Sequence, residues 1–72
     1  MQPTYRERDI LNYINKYQNK HGCSPTLSEI ADGIITSRSF VRYAIYRLEL
    51  KGFLTYDEHR HRSIVIRKNE TA

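Results

Sequence analysis

Apolar residues recur at helical spacing near the start of the chain and predict an amphipathic helix. Ile10 and Ile14 fall on one face of a helix with about 3.6 residues per turn, and the opposite face is polar. Thr4 precedes Glu7 at the spacing of a capping box, in which each residue bonds the backbone of the other. The pattern therefore predicts a first helix that begins just after Thr4 and is terminated by Gly22.

Two further apolar stripes follow, and each begins at a residue that caps helices. Thr26 and Glu29 form a second capping box, which predicts a short second helix. Ser37 is a suitable cap for a third helix that runs to about Lys51 and is ended by Gly52. The apolar face of this third helix consists of Val41, Ala44, Ile45 and Leu48.

The hydrophobic period changes from helical to alternating after the third helix. The segments FLTYDE (53–58) and RSIVIRK (62–68) both have the alternation of strands, and a polar turn joins them. Between the first and second helices, the connector CSP (23–25) is predicted to be extended, because Pro25 disfavours the helical conformation of the residue before it. An additional short strand fits this connector.

These elements predict an α+β fold in which three helices precede a two-stranded β-hairpin. Three or four residues separate the second and third helices, which is the spacing of a helix-turn-helix. The C-terminal hairpin is then the wing of a small winged helix-turn-helix. We expect one domain over residues 1–72, with 68–72 as a frayed tail.

The composition of the chain excludes several kinds of functional site but does not by itself assign a function. The single cysteine excludes an internal disulfide and a Cys-rich zinc site, and His59 and His61 have no convincing third ligand nearby. The chain has no nucleophile–base spacing and no phosphate-binding glycine loop, so we expect no enzymatic activity, cofactor, metal or small-molecule ligand. No apolar run reaches membrane-spanning length, which predicts a cytoplasmic protein.

The outer face of the third helix combines cations with aromatic rings. Ser39, Arg42, Tyr43 and Tyr46 lie opposite the apolar face, with Arg47 at their flank. Such a stripe is often only a solvated helix surface, but here it begins at the turn of a helix-turn-helix, which favours binding to DNA. The net charge of +4 agrees with this interpretation without proving it.

Longer motifs make the interpretation more specific. The segment GCSPTLSEIADGI (22–34), the cap at Ser37 and the exit RLELKG (47–52) resemble the N-terminal DNA-binding domain of LexA-type repressors. The resemblance covers Thr4 to Arg67 and implies a bacterial or phage transcriptional regulator, associated with the nucleoid, whose third helix (about 38–51) enters the major groove. LexA repressors also carry a C-terminal peptidase and dimerisation domain, which we do not expect in these 72 residues.

The resemblance implies a set of contact residues, with two departures from the family pattern. Its best-known members have acidic residues where this chain has Arg42 and Tyr43, so the reading face has different chemistry. Ile35 occupies a position where such turns often place glycine with a positive φ, which is costly for a β-branched residue. The expected recognition-helix contacts are Ser37, Arg38, Ser39, Phe40, Arg42, Tyr43, Tyr46 and Arg47.

Several of these roles stay open at the level of sequence. Arg42 suits either a guanine edge or a phosphate, and Arg38 suits either DNA or an ion pair within the chain. Thr26 and Ser28, at the start of the second helix, suit phosphate contacts or capping alone. Leu50 suits packing under the wing or a protein contact. The expected wing contacts, to phosphate or the minor groove, are His59, Arg60, His61 and Arg62.

The sequence thus predicts a regulator that binds double-stranded DNA in a sequence-specific manner. A chain of this size reaches only a few base pairs, so we expect two copies on one site, or a separate protein partner. The alternative is a winged-helix module that binds another protein and does not read DNA.

Overall fold

The computed structural model describes residues 2–67 and has the predicted winged helix-turn-helix fold. Three helices precede one antiparallel pair of strands, in the order helix, helix, helix, hairpin. The frayed tail expected at 68–72 lies outside the described residues. The elements are α1 (Tyr5–His21), α2 (Leu27–Gly33), α3 (Arg38–Leu50), β1 (Leu54–Thr55) and β2 (Val65–Ile66).

The capping residues predicted from sequence define the helix ends. Thr4 and Thr26 each accept a hydrogen bond from the backbone of a glutamate three residues later, and both reciprocal bonds are present. The Ser37 hydroxyl accepts from the Phe40 amide at 3.1 Å, which caps α3. Gly22 has a φ of 78°, the left-handed conformation that ends α1 without a steric penalty.

The core lies where the three helices meet and is closed on one side by the hairpin. The apolar stripe predicted for α3 is fully buried, and it meets Ile10 and Ile14 of α1 and Ile30 of α2. Leu54 and Ile64 add the apolar side of the wing to the same cluster. Burial of this set fixes the orientation of α3 about its own axis, so its remaining face points to solvent.

The wing is paired over a shorter length than the alternation predicted. Leu54 pairs with Ile66 and Thr55 with Val65, the Arg67 amide donates to the Phe53 carbonyl at 2.8 Å beyond the first pair, and toward the tip a side chain replaces the ladder. The Ser63 hydroxyl accepts from the Asp57 amide at 3.0 Å and donates to the Asp57 carbonyl at 2.6 Å. These bonds and a turn in which the Arg60 amide donates to the Asp57 carbonyl at 3.0 Å close the wing tip, which is why the strands stop early.

The connector at 23–25 differs from the predicted short strand. Within residues 2–67 it forms no strand, because the Ser24 carbonyl accepts from the side chain of Arg62 at 2.9 Å. The side chain of Cys23 is exposed, although its apolar character favours burial. Ser24 and Pro25 are the buried residues of this connector.

The turn between α2 and α3 has the backbone conformation that the sequence motif implied. Ile35 has a φ of 56° and leaves 87% of its surface exposed. A β-branched residue rarely adopts this left-handed conformation. The chain therefore makes the tight turn at an energetic cost, which burial of so exposed a side chain does not offset.

Candidate nucleic-acid interface

The first turn of α3 presents three small or cationic side chains to solvent. Ser37, Arg38 and Ser39 are all exposed, while Val41 in the next turn is fully buried. Among residues 2–67 Arg38 forms no ion pair, which removes the intramolecular alternative considered for it. The free backbone amides and hydroxyls at a helix start suit contacts with phosphate oxygens.

Arg42 projects from α3 toward the wing. Its Nη1 donates to Oε1 of Glu58 at 3.3 Å, and both side chains remain more than half exposed. An ion pair with this exposure contributes little to stability, about 0–1 kcal/mol. The guanidinium is therefore oriented toward the wing and remains accessible at the surface.

Arg47, by contrast, is directed into the fold. Its Nε donates to Oε2 of Glu7 at 3.0 Å, and its Nη1 donates to the Tyr43 hydroxyl at 3.4 Å. The guanidinium also lies 5.7 Å from the centre of the Tyr43 ring. The bond to Glu7 raises the pKa of Arg47, so the charge is permanent but already paired.

Three aromatic side chains on α3 have different surroundings. Tyr43 and Tyr46 expose more than half of their surface, so their rings and hydroxyls are accessible. Phe40 is partly buried against the core, with the Arg6 guanidinium 5.8 Å from its ring centre. Leu50 is 69% exposed and does not pack under the wing.

The start of α2 is built mainly by its cap. The Thr26 amide donates to Oε1 of Glu29 at 2.8 Å, and the Glu29 amide donates to the Thr26 hydroxyl at 3.1 Å. Ser28 is exposed beside them. Capping thus accounts for Thr26, and the hydroxyl of Ser28 faces solvent at the same helix end.

The four basic residues predicted for the wing divide into two groups. His59, Arg60 and His61 are exposed at the tip. Arg62 turns inward and makes a bidentate ion pair with Glu29, with Nη1–Oε1 and Nη2–Oε2 distances of 2.9 and 3.1 Å. Its Nη1 also donates to the Tyr17 hydroxyl at 3.3 Å.

The Arg62 contact changes the titration of its partner. The guanidinium, with help from the Thr26 amide, lowers the pKa of Glu29 to about 2, and Glu29 in turn raises the pKa of Arg62. Both groups are charged throughout the neutral range. Arg62 therefore has a structural partner on α2, a role that the sequence did not suggest.

The helices α2 and α3 and the wing border an open groove of about 490 Å³. One wall is the start of α2, the second is formed by Arg38 and Arg42 of α3, and the third is the wing from Glu58 to Ser63. Cations lie on both the α3 and the wing side. The groove thus brings together two groups of residues that the sequence predicted separately.

Glu58 is a residue at this surface that sequence analysis missed. It lies in a polar turn and is 16 positions from Arg42, so no local pattern connects the two. The signal that was available is the acidic pair Asp57 and Glu58 directly before the basic run 59–62.

None of the helices within residues 2–67 has the length and apolar character needed to span a membrane.

Comparisons with known proteins agree on one family. The family model described as the LexA DNA binding domain matches residues 1–63. A LexA repressor of Roseiflexus sp. (strain RS-1) is 43% identical over 67 residues, which are 92% of this chain and 30% of that relative. A LexA repressor of Mycobacterium ulcerans (strain Agy99) is 40% identical over 65 residues, 89% of this chain and 27% of the relative.

A more distant relative shows the same proportions. The LexA repressor of Thermobifida fusca (strain YX) is 35% identical over 65 residues, which are 89% of this chain and 26% of its own length. The chain thus spans less than a third of the curated relatives that it matches. The similarity concerns the segment that carries the groove, α3 and the wing.

Proposed function

The chain belongs to the LexA DNA-binding domain family, and on this premise we propose that it binds double-stranded DNA as a sequence-specific transcriptional regulator. The observation that carries the proposal is the groove whose walls are α3 and the wing, with exposed cations on both. The relatives are bacterial repressors, which favours a bacterial setting and repression of transcription. Such a protein would act on DNA in the cytoplasm, at the nucleoid.

The outer face of α3 supplies the contacts in the major groove. An α-helix fits this groove, and Ser39 and Arg42 are placed to reach base edges from the first two turns. Arg38 and the Ser37 hydroxyl lie at the helix start, where contacts with phosphate are favoured. Partial burial leaves the edge of the Phe40 ring for apolar contact with a base.

Tyr43 and Tyr46 fit positioning better than base reading. Tyrosine hydroxyls commonly bond phosphate oxygens, and these two rings are more than half exposed on the same helix. Arg47 supports Tyr43 from behind, because its guanidinium bonds both the hydroxyl and Glu7. We therefore assign Arg47 an indirect role in DNA binding.

The wing tip and the start of α2 contact the backbone. His59, Arg60 and His61 are exposed beside the groove and reach toward phosphates or the minor groove. Ser28 adds a hydroxyl at the start of α2, and Thr26 holds that helix end by its cap. Arg62 holds the wing in place through Glu29 and leaves phosphate contact to its neighbours.

Two copies on a repeated or palindromic site account best for tight binding. A single recognition helix reads only a few base pairs, and dimeric helix-turn-helix proteins place two such helices one turn of DNA apart.

The comparisons favour DNA binding over a winged-helix module that binds protein alone.

Equilibrium binding at several salt concentrations tests the proposal. Binding to a duplex selected from a random pool should be tighter than binding to an unselected duplex, and both affinities should fall steeply as salt rises. Arg42→Gln should weaken binding to the selected duplex by roughly 5- to 150-fold, the range expected for losing one bidentate base contact. Its effect on the unselected duplex should be much smaller.

Arg8→Gln provides a charge-matched control. Arg8 is exposed on α1 and does not line the groove, so its replacement should change both affinities little. Equal losses on both duplexes in Arg42→Gln would reduce Arg42 to a phosphate contact. Absence of binding to any duplex at low salt would refute the proposed function.

A further inference from the structure

The ion pair between Arg42 and Glu58 joins the middle of α3 to the wing. It lies between two grooves, because both residues line the cationic groove described above and a second groove, which is also bordered by α3 and the wing but extends toward the end of α3. The second groove has a different charge, since Glu49 and Asp57 also line it. Of the three carboxylates at this second groove, Glu58 is the one that pairs with Arg42 of the recognition helix.

The geometry of the contact leaves part of the guanidinium free. Arginine has five N–H donors in a planar fork, and Glu58 accepts from Nη1 only, at 3.3 Å. The edge formed by Nε and Nη2 makes no hydrogen bond with another group among residues 2–67. Two parallel N–H groups on one edge match the O6 and N7 acceptors of guanine.

The same carboxylate works against contacts that are independent of sequence. Glu58 is more than half exposed next to residues that face the DNA backbone. Its negative charge repels phosphates on any duplex, and it neutralises part of the charge that Arg42 would otherwise offer them. Without this partner, the long and flexible arginine side chain could form an ion pair with whichever phosphate is nearest.

We propose that Glu58 is a specificity-determining positioning residue, which holds Arg42 by Nη1 so that its free edge reads a guanine. This inference rests on the proposed function, and it goes further by assigning the base and the residue that orients its reader. Glu58 should lower affinity for unselected DNA and raise the preference for guanine at one position of the site. The ordering of Arg42 before binding also reduces the entropy lost when the base contact forms.

Glu58→Gln tests the proposal, with Glu49→Gln as the matched control. Each variant removes one exposed carboxylate from the same groove, but only Glu58 is bonded to Arg42. Affinity is measured for the selected duplex and for versions in which the guanine read by Arg42 is replaced. That position is found first, as the one at which Arg42→Gln loses its preference.

The expected result separates the two carboxylates. Glu49→Gln should raise affinity for every duplex by a similar factor, about twofold for one charge near phosphates, and leave the guanine preference unchanged. Glu58→Gln should raise affinity for unselected DNA similarly and lower the guanine preference by about fivefold, a part of the value of a bidentate contact. In the Arg42→Gln background, Glu58→Gln should change the preference no further.

The outcomes distinguish this inference from the function on which it rests. An unchanged guanine preference in Glu58→Gln, with the wild type still selective, would overturn the role of Glu58 alone. The role of Glu58 would also be overturned if Arg42→Gln lost no preference for guanine at any position of the site. A wild-type chain that binds no duplex at low salt would overturn the proposed function itself.

Discussion

At the scale of single residues, Ile35 shows how the turn geometry overrides the preference of the side chain. Its φ of 56° lies in the left-handed region, which costs an L-residue about 1–2 kcal/mol. The side chain is 87% exposed, so its burial offsets almost none of this free-energy cost. Arg62, with a φ of 53°, has the same strain but uses its side chain in bonds to α2.

Replacing Ile35 with glycine should stabilise the protein. Relief of the left-handed strain exceeds the extra backbone entropy of glycine, about 0.5–1 kcal/mol, so we expect a net gain of roughly 0.5–1 kcal/mol. Urea denaturation at pH 7 measures the free energy of unfolding. Arg62→Gly is the comparison, because it relieves a similar strain but loses the ion pair and should be less stable than the wild type. A loss of stability in Ile35→Gly would show that the turn does not carry this strain.

At the scale of elements, a cluster of polar groups around Arg62 joins the wing to the helices, in addition to the packing of Leu54 and Ile64 in the core. Arg62 bonds Glu29 of α2, Tyr17 of α1 and the Ser24 carbonyl of the connector. Within residues 2–67 the ladder between the strands has two residue pairs, so the sheet alone would be marginal. The charge of Glu29 thus helps to hold the wing in position.

The contribution of Glu29 should depend on pH in a defined direction. Its pKa is lowered from 4.5 to about 2 in the folded protein, so its stabilising effect is fully present above the ordinary carboxyl range. It should decline as pH falls from 4.5 toward 2. Glu29→Gln keeps the neutral capping bond and removes the charge. The difference in thermal midpoint between wild type and variant should be constant from pH 7 to 5.5 and shrink below pH 4.5. A difference that is independent of pH would contradict this account.

At the scale of the whole molecule, a buried ionic cluster joins the start of the chain to the end of α3. Glu7 is 2% exposed and accepts from Lys51 at 2.7 Å and from Arg47 at 3.0 Å. Lys51 also donates to the Gln2 carbonyl at 3.2 Å. Burial raises the pKa of the Glu7 carboxyl, but the hydrogen bonds from Lys51, the Thr4 amide and Arg47 outweigh it and lower the pKa overall.

Removing the Glu7 charge should be among the more damaging single changes. Glu7→Gln keeps the capping geometry but leaves Lys51 buried without a counter-charge, which we expect to cost about 3 kcal/mol, the lower end for a broken buried pair. Urea denaturation at pH 7 measures the loss. Adding Lys51→Met should recover part of it, because the unpaired ammonium is removed. A loss below about 1 kcal/mol would mean that the cluster behaves like a surface pair.

The parts of the structure that were predictable from sequence depend on local chemistry. Both capping boxes, the cap at Ser37 and the apolar face of α3 are set by residues within one or two turns of each other, so periodicity and spacing were sufficient. The left-handed turn at Ile35 was predictable because the motif fixes its backbone. The outward direction of Arg42 and Tyr43 was also predictable, because helical periodicity places them away from the apolar face of α3.

The parts that were not predictable depend on side chains distant in sequence. Arg62 and Glu29 are 33 positions apart, and the motif that suggested a basic wing gave no reason to direct one of its arginines inward. The strands were overestimated because Ser63 bonds the Asp57 backbone in place of the ladder. Cys23 is exposed because its neighbours Ser24 and Pro25 occupy the buried side of the connector.

The bonds that hold the wing also determine which partner must deform in the proposed complex with DNA. Arg62 joins the wing to α2 beside the tip, and Ser63 closes the tip, before any ligand is present. The separation between the wing and α3 is therefore set by the protein. A duplex whose grooves do not match that separation has to bend or change width, at an elastic cost that depends on its base steps. We expect base pairs that no side chain touches to influence affinity through their stiffness.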